Sequence, residues 1–184
     1  GTKMFRWQGR VCDPTRPFER LGVAEAFRRY CNIDLLATAP DPAAPDLALL
    51  AEAAKPLGIA PHEGDTWDDL FFRLFLERIE PHLGIGVPTI LHDYPISMAA
   101  LARAKPEDAR LAERFELYVA GLELANAFGE LTDPVVQRAR FVMDQEIKLR
   151  RHGVIYPIDE DFLAALETMP ESAGIALGVD RLAM

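Results

Sequence analysis

The sequence predicts an α+β domain, with an antiparallel sheet flanked by helices. Segments with helical spacing of apolar residues are interspersed with segments that alternate or are β-branched, and no regular βαβ order links them. No internal repeat is visible, and 184 residues are enough for one domain with a sizeable core. Together these observations favour a single α+β domain with an antiparallel sheet.

The first half of the chain is predicted to be largely helical. Residues 5–18 hold aromatics, arginines and two prolines without a sustained period, so we expect a strand or loop there. Apolar residues recur at helical spacing over residues 18–30, and Thr38–Asp46 is a proline-rich loop. A short helix follows, capped by Asp46, and a stronger one begins at the N-cap Thr66 with an aromatic stripe that we expect in the core.

The second half contains the predicted strands. Residues 87–93 are β-branched and apolar, and residues 113–126 form the longest strand candidate. In that strand Glu123 shares a face with Phe115 and Leu117, while Glu116 and Tyr118 fall on the opposite face. Because an isolated buried charge is costly, Glu123 needs a partner: an arginine, or a ligand or metal.

The remaining elements are predicted from helix-capping residues. Asp133 and Pro134 are typical of a helix start, and Gly153 of its end. A second helix, capped by Asp159, is expected to run through residue 167 with Phe162, Leu163 and Leu166 inward. A strand over residues 174–179 and the first turn of a helix over 180–184 complete the chain.

Composition excludes several classes of protein. The chain is 49% hydrophobic with a mean hydropathy near zero, and no apolar run approaches the roughly 20 residues that a bilayer requires. We therefore expect a cytoplasmic protein without membrane contact. The formal charge of −9 argues against a broad nucleic-acid surface. Cys12 and Cys31 form no recognisable framework and are expected to be reduced thiols.

Two segments are the candidates for chemistry. Residues 121–133, GLELANAFGELTD, carry Glu123, Asn126 and Glu130 among small and apolar residues. Residues 174–184, GIALGVDRLAM, add Arg181 after a glycine-spaced apolar run. Two carboxylates, a carboxamide and a guanidinium suit a pocket for a cation, a metal–phosphate group, or both. The four histidines lack metal-ligand spacing, and no GxSxG, Walker or GxGxxG motif is present.

These two segments resemble motifs of a known family. GLELANAFGELTD and ALGVDRL are similar to the C-terminal half of class II aminoacyl-tRNA synthetase catalytic domains of the lysine type, and within them to the ligases that modify elongation factor P. The resemblance runs from about residue 18 to the end. It implies that residues 1–184 are the C-terminal portion of one such domain, without motifs 1 and 2. The abrupt start and end of the chain also suggest a fragment.

The resemblance assigns one group of residues to ATP. Glu123 is similar to the motif carboxylate that binds ATP and its Mg²⁺, and Leu124 would line the nucleotide through its backbone. Gly178 corresponds to the close-approach glycine under the adenosine, and Arg181 to the motif 3 arginine on the nucleotide. The expected catalytic residues are Glu123 and Arg181.

A second group is assigned to the amino acid. Asn126 and Glu130 correspond to substrate groups, with Glu130 facing an ammonium of a lysine-like amino acid and sharing in metal binding with Glu123. Ala176 stands where lysyl-tRNA synthetases usually have glycine and the ligases have alanine. This alanine favours the ligase interpretation.

The activity implied by the resemblance is ATP-dependent activation of lysine or (R)-β-lysine as an adenylate, with transfer to a lysine of elongation factor P. Two alternatives stay open: a lysine–tRNA ligase acting on tRNA-Lys, and a non-catalytic fragment or paralogue that binds a ligand or partner. Dimers are usual in the family, so a homodimer is a possible assembly. Because the motif 2 arginine is missing, we expect this chain alone to be inactive.

Overall fold

The computed structural model describes residues 4–184 and is built on a five-stranded sheet. The strands are β1 (Phe5–Trp7), β2 (Arg10–Cys12), β3 (Glu19–Gly22), β4 (Thr89–Pro95), β5 (Leu111–Val119), β6 (Leu122–Gly129) and β7 (Ala173–Leu177). The first two form a separate hairpin, and the main sheet has the order β3-β4-β5-β6-β7. Its pairs are antiparallel except β3 with β4, so the predicted α+β class with a largely antiparallel sheet is confirmed.

Four of the six helices begin where the capping residues predict. The helices are α1 (Val23–Cys31), α2 (Leu47–Ala54), α3 (Trp67–Leu74), α4 (Pro134–His152), α5 (Glu160–Leu166) and α6 (Val179–Ala183). Asp46, Asp133 and Asp159 each accept hydrogen bonds from the first turn of their helix, and Thr66 closes a capping box with Asp69. Gly153 ends α4 in the left-handed conformation, as expected.

The predicted helix over residues 18–30 is wrong at its start. Glu19–Gly22 form strand β3, which pairs in parallel with β4, and the helix begins only at Val23. Leu21 is fully buried opposite Leu91 of β4. A strand of four residues is too short to show a period of its own, so pairing across 70 residues of chain decided the conformation.

The predicted single strand over residues 113–126 is also wrong, because it is a hairpin of β5 and β6. Ala120 and Gly121 turn the chain with φ of 51° and 80°, the two positive values that a type I′ turn requires. Alanine rarely adopts a positive φ, so the sequence carries a weak turn signal. The hairpin, with a bulge after Leu117, places Tyr118 opposite Glu123, so these residues share a face instead of lying on opposite ones.

The main core lies between the sheet and the first three helices. The aromatic stripe of α3 is buried in it, as predicted, and continues through a π-helical turn, Phe75–Ile79. Cys12 and Cys31 are buried free thiols, in agreement with the prediction of unpaired cysteines. No helix within residues 4–184 is both long and apolar enough to span a membrane.

The C-terminal elements are far more exposed than this core. Phe162 was expected inward but is 39% exposed, whereas Leu163 and Leu166 are buried. In α4 only Gln137 is buried. Strand β7 is the last strand of the sheet as described, and its Ile175 is 63% exposed. The sheet therefore has one well-covered side near α1–α3 and one open edge at β7.

Candidate active site

Strand β6 carries three of the candidate side chains near the open edge of the sheet. In its register, Glu123 lies opposite Tyr118 of β5, and Asn126 lies opposite Glu116 of β5 and Ala176 of β7. Residues directly opposite one another in antiparallel strands point to the same face. Asn126 thus lies in the middle of a row across three strands, between the carboxylate of Glu116 and the methyl group of Ala176.

Arg181 and Glu123 lie together, as the sequence predicts. The Arg181 Nη1 atom donates to the Glu123 backbone oxygen at 2.8 Å and lies 3.5 Å from its Oε2. The Gly178 amide donates to the Leu124 oxygen at 2.8 Å, which joins the start of α6 to β6. Both charged side chains are partly exposed, 52% for Arg181 and 34% for Glu123. Such a pair contributes little to stability but leaves both groups accessible to a ligand.

Gly178 is not required by contacts within the protein. A Cβ atom at this position would lie 3.5 Å from the Leu124 oxygen and 3.5 Å from the Arg181 Cδ, which is ordinary van der Waals contact. Its φ of −73° is open to other residues as well. If position 178 requires glycine, the requirement therefore comes from a group other than the described residues 4–184.

Glu130 lies at the other end of β6 from Glu123. Seven residues of extended chain separate their Cα atoms by about 23 Å, at about 3.3 Å per residue. The structure therefore does not bring Glu123 and Glu130 together on one ion. Within residues 4–184, no group of three or more histidine, cysteine, aspartate or glutamate side chains is arranged to hold a metal.

The Glu130 carboxylate fits over a glycine of the neighbouring strand. A Cβ atom on Gly174 would lie 2.5 Å from the Glu130 Oε1. The Glu130 amide donates to the Ser172 oxygen at 3.0 Å, just before β7. Gly174 therefore leaves the space in which this carboxylate sits.

Sequence reasoning missed a buried polar network on β5. Glu116 is 7% exposed; its Oε1 accepts from the Arg114 Nη2 and its Oε2 from the Tyr118 hydroxyl, each at 2.7 Å. Arg114 also donates from Nε to the Asn126 Oδ1 at 3.2 Å. The alternation of Arg114, Glu116 and Tyr118 could have revealed this row, but the hairpin was not recognised, so the row was assigned to the wrong face.

Three carboxylates, those of Glu80, Glu116 and Glu123, act on one another at the Glu123 end of the site. Burial raises the pKa of Glu80, and the charges of Glu123 and Glu116 raise it further, against the opposing effect of Arg10 and Arg181. Burial, followed by the charge of Glu116, raises the pKa of Tyr118 well above its usual value. Tyr118 therefore stays protonated and donates. Arg10, Arg114 and Arg181 lie among these carboxylates, so this end of the site combines negative and positive groups.

A groove of about 330 Å³ adjoins Arg181. It is lined by apolar side chains together with two arginines: Met4, Phe5, Arg6, Trp7, Val119, Ala120, Leu122, Leu124, Arg181, Leu182 and Met184. An apolar groove with guanidinium groups suits a ligand that joins a flat ring to an anion. Of the four residues predicted for the nucleotide, Leu124 and Arg181 line it, whereas Glu123 and Gly178 do not.

Comparisons with known proteins identify the family of this chain. The model of the family "tRNA synthetases class II (D, K and N)" matches residues 2–184. The chain is 44% identical over 173 residues to the elongation factor P–(R)-β-lysine ligase of Klebsiella pneumoniae subsp. pneumoniae, covering 92% of this chain and 51% of the relative. It is 45% identical over 170 residues to the ligase of the same name from Proteus mirabilis, covering 90% and 50%.

A third ligase of that name, from Haemophilus influenzae, is 41% identical over 169 residues, covering 91% of this chain and 50% of the relative. The chain thus spans about half the length of the curated relatives that it matches. The family model, in contrast, matches almost the whole chain. We conclude that this chain belongs to the class II tRNA synthetases of the D, K and N group.

Proposed function

We propose that this chain forms the C-terminal half of the catalytic domain of a ligase. The ligase activates lysine or (R)-β-lysine with ATP as an adenylate and passes it to a lysine side chain of elongation factor P. The observation that carries the proposal is the convergence of Arg181, Glu123, Leu124 and Gly178 where β6 meets α6. The names of the relatives support the reaction and the acceptor.

ATP occupies the Arg181 end of the site in this proposal. The exposed guanidinium would offset phosphate charge, and the adjoining apolar groove would take the base. The open space at Gly178 would allow the adenosine to approach the backbone. Glu123 and Arg181 are the proposed catalytic residues because both would contact the reacting phosphates.

Mg²⁺ fits this end through Glu123 alone. Mg²⁺ is commonly held by one or two carboxylates together with substrate phosphates, so a single protein carboxylate is sufficient. When bound, the ion would neutralise charge that develops on the phosphate oxygens. Glu130 is too far along β6 to share that ion, so we assign it only to the amino acid.

The amino acid occupies the middle and far end of β6. Glu130 would face an ammonium group, and Asn126 and Ala176 would line the pocket between the two ends. The Ala176 methyl group narrows the pocket beside Asn126, which favours the (R)-β-lysine ligase over a lysine–tRNA ligase. The formal charge of −9 also suits a protein acceptor better than tRNA.

The upstream half that the relatives possess would supply the arginine that binds the α-phosphate. The two halves together would then be active. A homodimer is an assembly that the proposal allows, and its acceptor, a translation factor, places the reaction in the cytoplasm. The lysine–tRNA ligase remains the alternative enzyme, and a non-catalytic ligand-binding paralogue the alternative of another class.

ATP–pyrophosphate exchange distinguishes the ligase, the lysine–tRNA ligase and the non-catalytic paralogue. It is measured on protein extended upstream of Gly1 to the length of its relatives. We expect exchange with (R)-β-lysine in preference to α-lysine and, in a separate assay with labelled (R)-β-lysine, transfer of the labelled aminoacyl group to elongation factor P. A preference for α-lysine and charging of tRNA-Lys would replace the ligase with the synthetase. Exchange with neither amino acid would reject both enzymes.

A further inference from the structure

Within residues 4–184, the one side chain that forms a hydrogen bond with the Asn126 side chain is Arg114. The Arg114 Nε atom donates to the Asn126 Oδ1 at 3.2 Å across the β5–β6 pair. A guanidinium carries donors and no acceptor, so the atom that faces it must be the amide oxygen. The amide nitrogen of Asn126 consequently points away from β5, toward β7 and the proposed amino-acid pocket.

Arg114 is itself fixed by three further contacts. Its Nη1 donates to the Met98 oxygen at 2.7 Å, its Nη2 donates to the Glu116 Oε1 at 2.7 Å, and its guanidinium carbon lies 4.3 Å from the centre of the Tyr94 ring. Only 17% of its side chain is exposed. The planar group is therefore immobilised before any ligand arrives, and so is the orientation of Asn126.

Glu116 completes the chain of contacts from the core to the pocket. Its second oxygen accepts from the Tyr118 hydroxyl, so both oxygens are engaged by protein groups. Glu116 holds Arg114, and Arg114 holds Asn126. If Arg114 and Glu116 formed only a structural ion pair in the core, the orientation of the Asn126 side chain would not affect substrate binding.

We propose that Arg114 is a positioning residue that holds the Asn126 oxygen, so that the Asn126 NH₂ group faces the amino-acid pocket. The inference rests on the proposed function, which already places Asn126 and Glu130 beside the amino acid. The orientation matters because an NH₂ group donates to an anionic substrate group, whereas an amide oxygen would repel it.

The first experiment is a double-mutant cycle on the upstream-extended protein. Arg114→Lys keeps the charge but cannot reach Met98, Glu116 and Asn126 together, so we expect the KM for the amino acid to rise about tenfold, the effect of one hydrogen bond to a charged group, with the KM for ATP unchanged. Asn126→Ala should raise the same KM, and the double variant should lose no more than Asn126→Ala alone. Additive losses would overturn the positioning role.

Arg73→Lys is the matched control. Arg73 is 21% exposed and likewise donates to a carbonyl, that of Ala60, and to a carboxylate, that of Asp65. We expect this variant to lower thermal stability without changing either KM. Equal changes of KM in Arg73→Lys and Arg114→Lys would show that Arg114 acts through stability alone.

The second experiment, Asn126→Asp, remains informative if Arg114→Lys does not fold. Aspartate can accept from Arg114 as a charged partner, so the melting temperature should hold or rise, but it offers no donor to an anionic substrate group. Amino-acid affinity should therefore fall at least tenfold, the loss expected for one hydrogen bond to a charged group. Retained affinity would mean that an oxygen faces the substrate, and would refute the inference.

A readout without activity separates this inference from the proposed function. The ¹⁵N–¹H signals of the Asn126 side-chain amide should shift in Arg114→Lys and stay unchanged in Arg73→Lys, whether or not the protein exchanges pyrophosphate. No exchange with shifted signals would reject the function and leave Arg114 as the anchor of Asn126. Normal exchange in wild type with unshifted signals would reject the inference only.

Discussion

Arg181 is anchored on the backbone of Glu123: its Nη1 donates to the Glu123 carbonyl oxygen at 2.8 Å and lies 3.5 Å from the carboxylate. The stronger of the two contacts does not use the charge of Glu123. The carboxylate of Glu123 therefore stays available to a cation while the guanidinium is held close to it. Opposite charges that lie side by side and are both partly exposed suit a ligand that combines phosphates with a metal.

Replacement of Arg181 tests the nucleotide end. We expect Arg181→Ala to weaken ATP binding by roughly 10- to 100-fold, the effect of removing a charge-assisted hydrogen bond, and to leave amino-acid affinity nearly unchanged. Calorimetry on the upstream-extended protein measures both. Arg138→Ala is the control, because Arg138 is similarly exposed at 46% and pairs with Glu160 on α5. Unaltered ATP affinity in Arg181→Ala would count against the assignment.

Replacement of Glu130 tests the other end. Glu130→Gln keeps the shape of the side chain but removes the charge opposite the proposed ammonium, so amino-acid affinity should fall about tenfold or more while ATP affinity holds. Equal losses of the two affinities would contradict the assigned role. Glu160→Gln, which alters an exposed carboxylate far from β6, serves as the control.

Gly174 offers a steric test of the same carboxylate. In Gly174→Ala the new Cβ would lie 2.5 Å from the Glu130 Oε1, so the carboxylate must move. We expect amino-acid affinity to fall by a factor similar to that of Glu130→Gln, with a loss of stability below about 1 kcal/mol because the side chain is flexible. Binding titrations and thermal melts check both. An unchanged affinity would show that the position of Glu130 is unimportant.

Two glycines before β4 allow a matched prediction about stability. Gly84 and Gly86 both have positive φ, 69° and 79°. A Cβ on Gly84 would lie 2.7 Å from the Tyr118 backbone, whereas a Cβ on Gly86 would meet nothing within 4 Å. Gly86→Ala should cost about 1–2 kcal/mol from backbone strain alone, and Gly84→Ala clearly more. If Gly84→Ala and Gly86→Ala have equal free energies of unfolding in denaturant, Gly84 does not lie close to the Tyr118 backbone.

The raised pKa of Glu80 predicts a pH dependence. The unfolded chain ionises this carboxyl near 4.5, and the folded chain at higher pH, because of burial and the charges of Glu123 and Glu116. The Glu80 carboxyl therefore favours folding at pH values below 4.5. This contribution to stability is lost as the pH rises through the pKa of Glu80 in the folded protein. Glu80→Gln should stabilise the protein at pH 7 relative to pH 4, by less than about 1 kcal/mol for a partly buried group.

Thermal melts of Glu80→Gln and wild type at the two pH values measure that difference. Glu77→Gln is the control, since Glu77 lies on the same helical segment but is exposed. A difference between Glu80→Gln and wild type that does not grow with pH would show that the neighbouring carboxylates do not act on Glu80.

Much of the fold was predictable because its signals are local. The caps Asp46, Thr66 and Asp133 act within one helical turn, and each stands where its helix begins. Strand β3 was not predictable in this way, because Leu21 is placed by Leu91, far away in the chain. The turn at Ala120 was missed because its positive φ is imposed by strand pairing and not by the residue.

In the candidate site as well, features with a local sequence signal were predictable and features that depend on strand pairing were not. Glu123 and Arg181 could be paired from their motifs, and the structure places them in contact. The expected sharing of a metal by Glu123 and Glu130 loses support, because Glu123 is the second residue of β6 and Glu130 follows its last residue. Arg114 and Glu116 escaped notice because their role depends on a cross-strand register that only the folded hairpin defines.

Strand β7 forms one wall of the proposed amino-acid pocket and is also the outermost strand of the sheet as described. One row of its backbone amides and carbonyls is thus open to pairing with another segment. Any polypeptide that docked along this row would push or pull on Ala176, and so adjust the width of the pocket beside Asn126. Discrimination between two isomers of lysine would then depend on a neighbour that never touches the substrate.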